Sequence, residues 1–399
     1  METRVIIPVA IQIVADDFGW HNGRDERTSG KPSRSGLPRD HAPEDYLILN
    51  ELGRAIDMKI LTPFVIGEWD KDNLLRGVKH ATYNEAGWDR ASEIDMRMAE
   101  KYFRAAESSE YIEYAYHALL HGYYRDGKQI CETEYSRPVY DPVRDTHDRS
   151  RFEYLSAEEM QEYIDLFFRI YDSWGFGKKI RSFVSPCSIH TPPEETYDFA
   201  KVLKQNGFLY WANHWALVQD TTAVFDGVTF LQKNAVVGWE QYDVDPLMLP
   251  DHCTDALFSK EKRICPACGY HWTNFLRLNP ACNMERLSEW VRYFKRQGSI
   301  YGQMLSRDIE FAASQAVYSR FGQVRIEGKR CIIDLREVDR KQSLAQRDTF
   351  YISTRQKINP TTCVGGRMSI YEKSTGLNGH TTWQITRIGE APEISFELV

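Results

Sequence analysis

The sequence predicts an α/β fold followed by a small antiparallel β domain. Through the first three quarters of its 399 residues, short apolar runs alternate with amphipathic, helix-like stretches. After about residue 308 the runs become shorter and alternate in polarity, with turn residues such as Glu327-Gly328 and Gly365-Gly366 between them. Strands that alternate with helices favour a parallel sheet or barrel, whereas short alternating runs favour antiparallel pairing. We therefore expect two domains, residues 1–305 and 306–399.

The elements of the first domain follow from the spacing of apolar residues. Strands are predicted over residues 5–14, 59–66, 111–116, 180–184, 209–212 and 271–276, and helices over residues 92–106, 157–174, 194–206 and 284–297. Two polar stretches, residues 23–42 and 126–151, are predicted as long loops, which in compact domains are usually functional or mobile. Active sites in such folds lie at the carboxyl ends of the strands.

The second domain begins with a helix-like stretch, residues 309–321, that leads into short β runs. These runs cover residues 323–326, 331–335, 349–353 and 381–386. Their alternation of apolar and polar residues is typical of antiparallel strands with one face packed on a core. The role of this β domain is open: it could cover the barrel, form a dimer interface or shape the cleft.

Composition and charge exclude several classes of protein. The net charge is -7 and the basic residues are scattered, so the chain is not a general nucleic-acid binder. No apolar stretch approaches the roughly 20 residues of a membrane span. The apolar N-terminal run ends in two aspartates without a small-residue cleavage site, which predicts a buried strand rather than a signal peptide. The eight cysteines then predict reduced thiols and a cytoplasmic protein.

Two adjacent carboxylates, Asp16 and Asp17, follow the first predicted strand. Neighbouring side chains in a strand point to opposite faces, but a turn at Gly19 lets both carboxylates converge on the mouth of a barrel. Such a pair is costly to desolvate after a buried strand unless a cation compensates. The alternative is a capping aspartate beside a solvated one.

Two histidines, His117 and His121, follow the third predicted strand within the sequence HALLHG. In a continued strand they would lie about 13 Å apart, too far to share a metal ion. In a helical turn, residues i and i+4 are neighbours and can bind one ion, and Gly122 provides an exit from that turn. The alternative is that both histidines pack in the core.

The two pairs together predict a metal site, because the ends of strands one and three face a common mouth in a parallel barrel. One aspartate and two histidines leave an open coordination position, as a catalytic zinc site requires. The other aspartate can then act as general base for a water on the metal. Zinc is the preferred ion for these ligands, and other divalent metals also fit them.

The pair Asp16-Asp17 followed by His-x-x-x-His resembles the polysaccharide deacetylase superfamily, carbohydrate esterase family 4 and its relatives. The spelling ADDFG is also similar to the YdjC-like deacetylases. The resemblance spans the first three quarters of the chain and implies a deformed (β/α)7 barrel that removes N-acetyl groups from sugars. It implies that Asp17, His117 and His121 bind the metal and that Asp16 is the catalytic base.

Other matches to this superfamily concern the acid and the groove. The segment that ends in Ser185-Pro186 lies where the family has an Arg-x-Pro motif, with Val184 in place of the arginine, so the group that orients Asp16 is open. His271 resembles the family's catalytic acid, and His214 is the second candidate. The candidates for substrate contacts are Trp20, Pro186, His214 and Trp272. Other tryptophans and Tyr123 could stack on a sugar ring or pack in the core.

Four cysteines form a separate candidate for a structural zinc site. Cys265 and Cys268 are spaced like a zinc knuckle, and Cys253 and Cys282 flank them. The alternative is reduced cysteines in a loop.

The sequence therefore predicts a metal-dependent deacetylase that acts on an amino sugar, a glycan or a sugar-containing intermediate. Two alternatives stay open: an esterase or amidase that acts on a non-sugar acylated metabolite, and a non-catalytic barrel that binds glycan. The expected partner is an acylated sugar or small-molecule substrate, without nucleic acid or membrane, and the formation of a homo-oligomer is open.

Overall fold

The computed structural model describes residues 5–23, 35–187, 193–213, 220–238, 241–251, 254–255, 263–373 and 379–399. In these ranges the strands are, in chain order, β1 (Val5–Ile6), β2 (Val9–Asp16), β3 (Ile60–Val65), β4 (Ile112–Ala118), β5 (Tyr123–Arg125), β6 (Lys128–Cys131), β7 (Ser136–Asp141), β8 (Thr146–Tyr154), β9 (Ser182–Val184), β10 (Tyr210–Asn213), β11 (Thr222–Phe225), β12 (Val228–Ala235), β13 (Thr254–Asp255), β14 (Arg263–Ile264), β15 (Ala267–His271), β16 (Gln303–Leu305), β17 (Gln323–Glu327), β18 (Arg330–Asp334), β19 (Thr349–Thr354), β20 (Ile358–Val364), β21 (Gly366–Lys373), β22 (Thr381–Arg387) and β23 (Glu393–Leu398).

The α-helices of the same ranges are α1 (Pro43–Ile56), α2 (Arg90–Glu93), α3 (Met96–Glu107), α4 (Ala157–Trp174), α5 (Pro193–Gln205), α6 (Leu287–Gly298), α7 (Ile309–Phe321) and α8 (Arg336–Arg340). Short 3-10 turns cover Gly67–Trp69, Pro246–Met248, Trp272–Phe275 and Pro280–Arg286. None of the helices in the described ranges has the length and apolar character needed to cross a membrane.

Seven parallel strands close into a barrel in the order β10, β9, β4, β3, β2, β15 and β12, and β12 pairs with β10 to complete the circle. Strand β16 pairs in parallel with the first half of β2. Strand β11 pairs with β12 in antiparallel orientation. The predicted seven-stranded α/β barrel is confirmed. Because all seven strands run in the same direction, their carboxyl ends form one mouth.

The barrel contains a buried apolar layer to which every strand contributes. Each of the seven strands contributes to one buried cluster: Val14, Leu61, Ala115, Val184, Ala212, Leu231 and Ala267. Helix α7 packs on this cluster through Ile309, Ala313 and Ala316. The amide of Ile309 donates to Glu113, near the start of β4, at 2.7 Å. Helix α7 therefore lies at the end of the barrel opposite the mouth.

The predicted β domain is also confirmed, as two four-stranded antiparallel sheets. Their strand orders are β1, β19, β22, β21 and β17, β18, β23, β20. The two sheets share one apolar core, to which Ile333, Phe350, Ile385 and Phe396 contribute. Strand β1 comes from the start of the described chain, so residues on both sides of the predicted boundary build this domain. The division between residues 305 and 306 stays a prediction.

Several details differ from the elements that the sequence predicts. Residues 126–151, predicted as a loop, contain β6, β7 and most of β8, which form hairpins in which β6 pairs with β5 and β7 with β8. Their polar sequence is compatible with strands because an antiparallel pair can have one face exposed to solvent. The strand predicted at residues 271–276 ends instead at His271, where a 3-10 turn begins. Several elements were not predicted, among them helix α1 and the barrel strand β12.

Candidate metal centre and active site

The first carboxylate pair lies where β2 reaches the barrel mouth. Asp16 is the last residue of β2, and Asp17 has a left-handed backbone with φ of 62°. This turn cancels the alternation of side chains along the strand, so both carboxylates lie at the mouth. Gly19 follows with φ of 105°, and a Cβ there would lie 2.8 Å from the carbonyl oxygen of Val65. The predicted turn therefore begins at Asp17 and requires glycine two residues later.

His117 occupies an irregular position near the end of β4. Phe64 pairs with Tyr116 and Val65 pairs with Ala118, so His117 is an extra residue in the register. Such bulges re-aim a side chain, often beside an active site. Nδ1 of His117 lies 2.6 Å from the carbonyl oxygen of Val184. Because a carbonyl can only accept, Nδ1 carries the hydrogen and Nε2 presents its lone pair.

The segment from His117 to His121 bends back without forming a helical turn. Strand β4 ends at Ala118, and His121 has a left-handed φ of 52°. The buried carboxylate of Glu134 fixes this bend by accepting the amides of Leu119 at 2.8 Å and Leu120 at 2.5 Å. Burial raises the pKa of Glu134 to about 7, although hydrogen bonds from the backbone of residues 119–122 favour its ionised form.

Asp17, His117 and His121 form a cluster whose ligand atoms all lie within 4.8 Å of one another. Oδ1 of Asp17 lies 3.3 Å from Nε2 of His117 and 3.2 Å from Nε2 of His121. Ligands at the usual zinc distances are separated by roughly 3.3 to 3.6 Å at the corners of a tetrahedron. All three residues are at most 2% exposed, so a cation would compensate a carboxylate that water cannot reach. The cluster therefore fits a divalent metal ion.

Asp16 lies beside this cluster in a buried ion pair with Lys233 of β12. The two residues belong to strands that are not neighbours, since β15 lies between them. Gly269 of β15 lies against the same segment, because a Cβ at this position would lie 2.3 Å from the carbonyl oxygen of Asn234 and 3.1 Å from Cγ of Lys233. Lys233 is thus a buried cation in direct contact with the carboxylate of Asp16.

His271, the predicted acid, lies next to Asp16 at the mouth. The two residues are register partners in the parallel pair of β15 and β2, whose strands are separated by about 4.8 Å. Nδ1 of His271 lies 3.1 Å from the carbonyl oxygen of Val237, and the side chain is half-buried. Because a carbonyl oxygen can only accept, this contact indicates that Nδ1 of His271 carries a hydrogen.

The predicted substrate contacts have different surroundings. Trp272 is fully buried, where His41 stacks on it at 4.1 Å, and its indole donates to the carbonyl of Asp45. Trp20 is 1% exposed and belongs to the same core. We therefore correct both tryptophans to core residues, because neither has a free ring face for a sugar. Pro186 is buried directly after β9, and His214 lies outside the described residues.

The cysteines predicted to bind a structural zinc do not gather in the part of the chain that the structure describes. Cys265 and Cys268 are buried, and Cys282 lies in a 3-10 turn beyond the barrel strand. The cluster of Asp17 and the two histidines is the one group of three ligands found among the described residues. Cys253 lies outside them, so the four-cysteine site stays a prediction.

Two residues of the site were missed in the sequence, Lys233 and Glu134. Lys233 follows the strand-like run VTFLQ, and a lysine in such a buried run indicates a paired cation. Glu134 has no comparable signal, because it lies in a polar stretch where a glutamate is expected to be solvated.

Glu134→Gln is expected to weaken metal binding about 10- to 100-fold, as losses of supporting partners do. The carboxamide nitrogen cannot accept an amide hydrogen, so residues 119–122 lose part of the anchor that holds His121 in place. Competition with a chromophoric chelator measures the zinc affinity. Glu132→Gln, the same change at an exposed position two residues away, is the control and should bind zinc like wild type. Equal affinity in the two variants would refute this role of Glu134.

Comparison with known proteins gives little beyond this geometry. No protein-family model matches the sequence, and no curated protein matches it. Among solved structures, a chain described as a putative polysaccharide deacetylase from Mycobacterium smegmatis matches with a TM-score of 0.31 and 13% sequence identity. The match covers 77% of this chain and 81% of that chain.

Proposed function

We propose that this protein is a metal-dependent hydrolase that removes an acetyl or related acyl group from the nitrogen of an amino sugar or a sugar-containing compound. The observation that carries the proposal is the placement of one Asp17 oxygen 3.3 and 3.2 Å from two imidazole nitrogens, beside a second carboxylate. The amide and the sugar come from the motif resemblance in the sequence. The site geometry supports the hydrolytic chemistry.

The proposed metal ligands are Asp17, His117 and His121, with zinc or another divalent cation as the ion. When bound, such a cation supplies Lewis acidity that polarises an acyl carbonyl and activates water. The chain supports these ligands from outside the cluster: Val184 fixes the tautomer of His117, and Glu134 holds the bend that carries His121. Ligand orientation of this kind is typical of functional metal sites.

The proposed proton transfers use the two side chains beside the cluster. Asp16 takes a proton from the water that attacks the acyl carbon. The carbon–nitrogen bond then breaks, and His271 gives a proton to the departing nitrogen, which leaves as an amine while the acyl group leaves as a carboxylic acid. The register that pairs Asp16 with His271 supports this assignment, since the base and the acid must flank one reacting bond.

The buried pair of Asp16 and Lys233 should also stabilise the fold. Lys233→Met leaves the Asp16 carboxylate without its cation, and loss of one partner of a buried pair costs about 3 to 5 kcal/mol of unfolding free energy. The double variant Asp16→Asn/Lys233→Met removes both charges and should recover most of that loss. Urea unfolding of the three proteins at saturating zinc measures the effect. Wild-type stability in Lys233→Met would contradict the pairing.

The test of the function is release of the acyl group from a panel of N-acetylated amino sugars, O-acetylated sugars and acylated non-sugar amides. We expect acetate release from N-acetylated sugars, its loss after the metal is removed by a chelator, and its return when zinc is added. If acetate is released only from O-acetylated sugars or from acylated non-sugar amides, then those compounds, and not N-acetylated sugars, are the substrate class. Sugar binding without turnover on any substrate, with or without zinc, would instead indicate a non-catalytic barrel.

A further inference from the structure

Strand β21 is the last strand of one of the two sheets of the β domain. Within the part of the chain that the structure describes, β21 pairs only with β22, and the opposite edge of this sheet is β1, a strand of two residues. An edge strand presents its outer N–H and C=O groups to another chain. With eight residues and no proline in its sequence, GRMSIYEK, β21 is long enough to pair with a further strand.

One face of β21 is apolar and continues the core of the β domain. Met368 and Ile370 lie opposite Ile385 and Trp383 of β22, and both of these β22 residues belong to the core between the two sheets. Ile370 is nevertheless 58% exposed, because β21 is the outermost strand. A strand that pairs with the free edge would cover this side chain and extend the apolar face.

The other face of β21 carries one charge of each sign. Arg367, Ser369 and Glu372 lie opposite residues of β22 that alternate with the core positions, so the three side chains share this face. They do so despite their uneven spacing, because a β-bulge makes Tyr371 an extra residue before Glu372. All three side chains are exposed, which leaves the two charges accessible to a second chain.

The two charges are complementary when β21 pairs with a second copy of itself. A two-fold axis perpendicular to the sheet at Ser369 brings Arg367 of each copy opposite Glu372 of the other copy. On the apolar face, the same axis brings Met368 opposite Ile370. An axis one position earlier or later places both charges opposite uncharged residues. The axis through Ser369 therefore gives the register in which both faces match.

We propose that the chain forms a two-fold homodimer in which the β21 strands of two copies pair in antiparallel orientation and join two four-stranded sheets into one of eight strands. Such a contact uses the same strand of each copy and is complete at two copies. The hydroxyl of Tyr371 accepts a hydrogen bond from Arg307, just before α7, at 3.2 Å. Because α7 lies at the end of the barrel opposite the mouth, the contact lies away from both barrel mouths.

Sedimentation velocity of the full chain tests this dimer by charge reversal. Wild type should sediment as a dimer. Arg367→Glu and Glu372→Arg each place like charges opposite one another twice per dimer and should raise the dimer dissociation constant about tenfold or more. The double variant Arg367→Glu/Glu372→Arg restores opposite charges and should dimerise like wild type. Arg330→Glu, the same change at an exposed arginine of the inner strand β18, is the control and should leave the dimer intact.

A mixture of the two single variants separates a charge effect from a loss of fold. An Arg367→Glu chain carries two negative charges at the contact and a Glu372→Arg chain carries two positive ones, so the mixture should form heterodimers although each variant alone is weakened. A monomeric wild type, or a dimer that neither single reversal weakens, would overturn the proposal. Dimerisation that is lost in the single variants and returns neither in the double variant nor in the mixture would overturn it as well. Sedimentation needs no substrate, so the result is independent of the proposed hydrolase activity.

Discussion

Asp16→Asn is expected to lower kcat about 10²- to 10⁴-fold, the usual contribution of a positioned general base, while the protein keeps one bound metal ion per chain. The carboxamide cannot take a proton from water, so the proposed first transfer has no acceptor. The metal should stay because its proposed ligands, Asp17, His117 and His121, are untouched. Acetate release gives the rate, and elemental analysis gives the metal content.

Stability needs its own control here, because Asp16→Asn leaves Lys233 as a buried cation without its carboxylate. The double variant Asp16→Asn/Lys233→Met removes that cost and should be nearly as stable as wild type. We expect it to stay inactive, which would separate the loss of the base from any loss of fold. Full activity in Asp16→Asn would refute the proposed role of Asp16.

The candidate metal ligands could be predicted from the sequence because each pair is local. Asp16 and Asp17 adjoin a buried strand, and His117 and His121 are four residues apart after another. Strand ends of a parallel barrel meet at one mouth, so two local signals suffice to predict one site. The backbone conformation that turns these side chains toward one another could not be predicted from the sequence. It consists of the left-handed Asp17 and the bulge at His117.

Lys233 could not be placed from sequence because its contact depends on closure of the barrel. It is 217 residues from Asp16, on a strand that does not pair with β2. Only the full circle of strands brings their side chains together inside the barrel. Because strand β12 was not predicted, Lys233 had no predicted position in the barrel, and its contact with Asp16 could not be predicted either.

Trp20 and Trp272 could be located from the sequence, but the sequence did not show whether they contact substrate or pack in the core. A tryptophan next to a motif predicts a sugar platform or a core residue equally well, because both use a large apolar ring. Burial decides between them, and it depends on what packs from elsewhere: the ring of His41 covers Trp272 from the segment before α1.

His117→Ala is expected to abolish specific metal binding, with a loss of affinity well beyond the roughly 100-fold upper range for supporting residues. The variant removes one of the three proposed metal ligands, so only Asp17 and His121 remain to bind the ion. Acyl release should fall to background, because the remaining pair cannot hold a cation in place. His121→Ala should behave in the same way, since its Nε2 contacts the same oxygen of Asp17.

Elemental analysis of His117→Ala beside wild type and His147→Ala measures this loss, and His147 provides the same substitution outside the cluster. Wild type and His147→Ala should carry one ion per chain and His117→Ala none. Circular dichroism checks that the truncated barrel still folds, because the change opens a cavity behind β4. If a folded His117→Ala retains its ion, the metal binds elsewhere in the chain. The hydrolase proposal would then lose the observation on which it depends, since Asp16 and His271 would flank no metal.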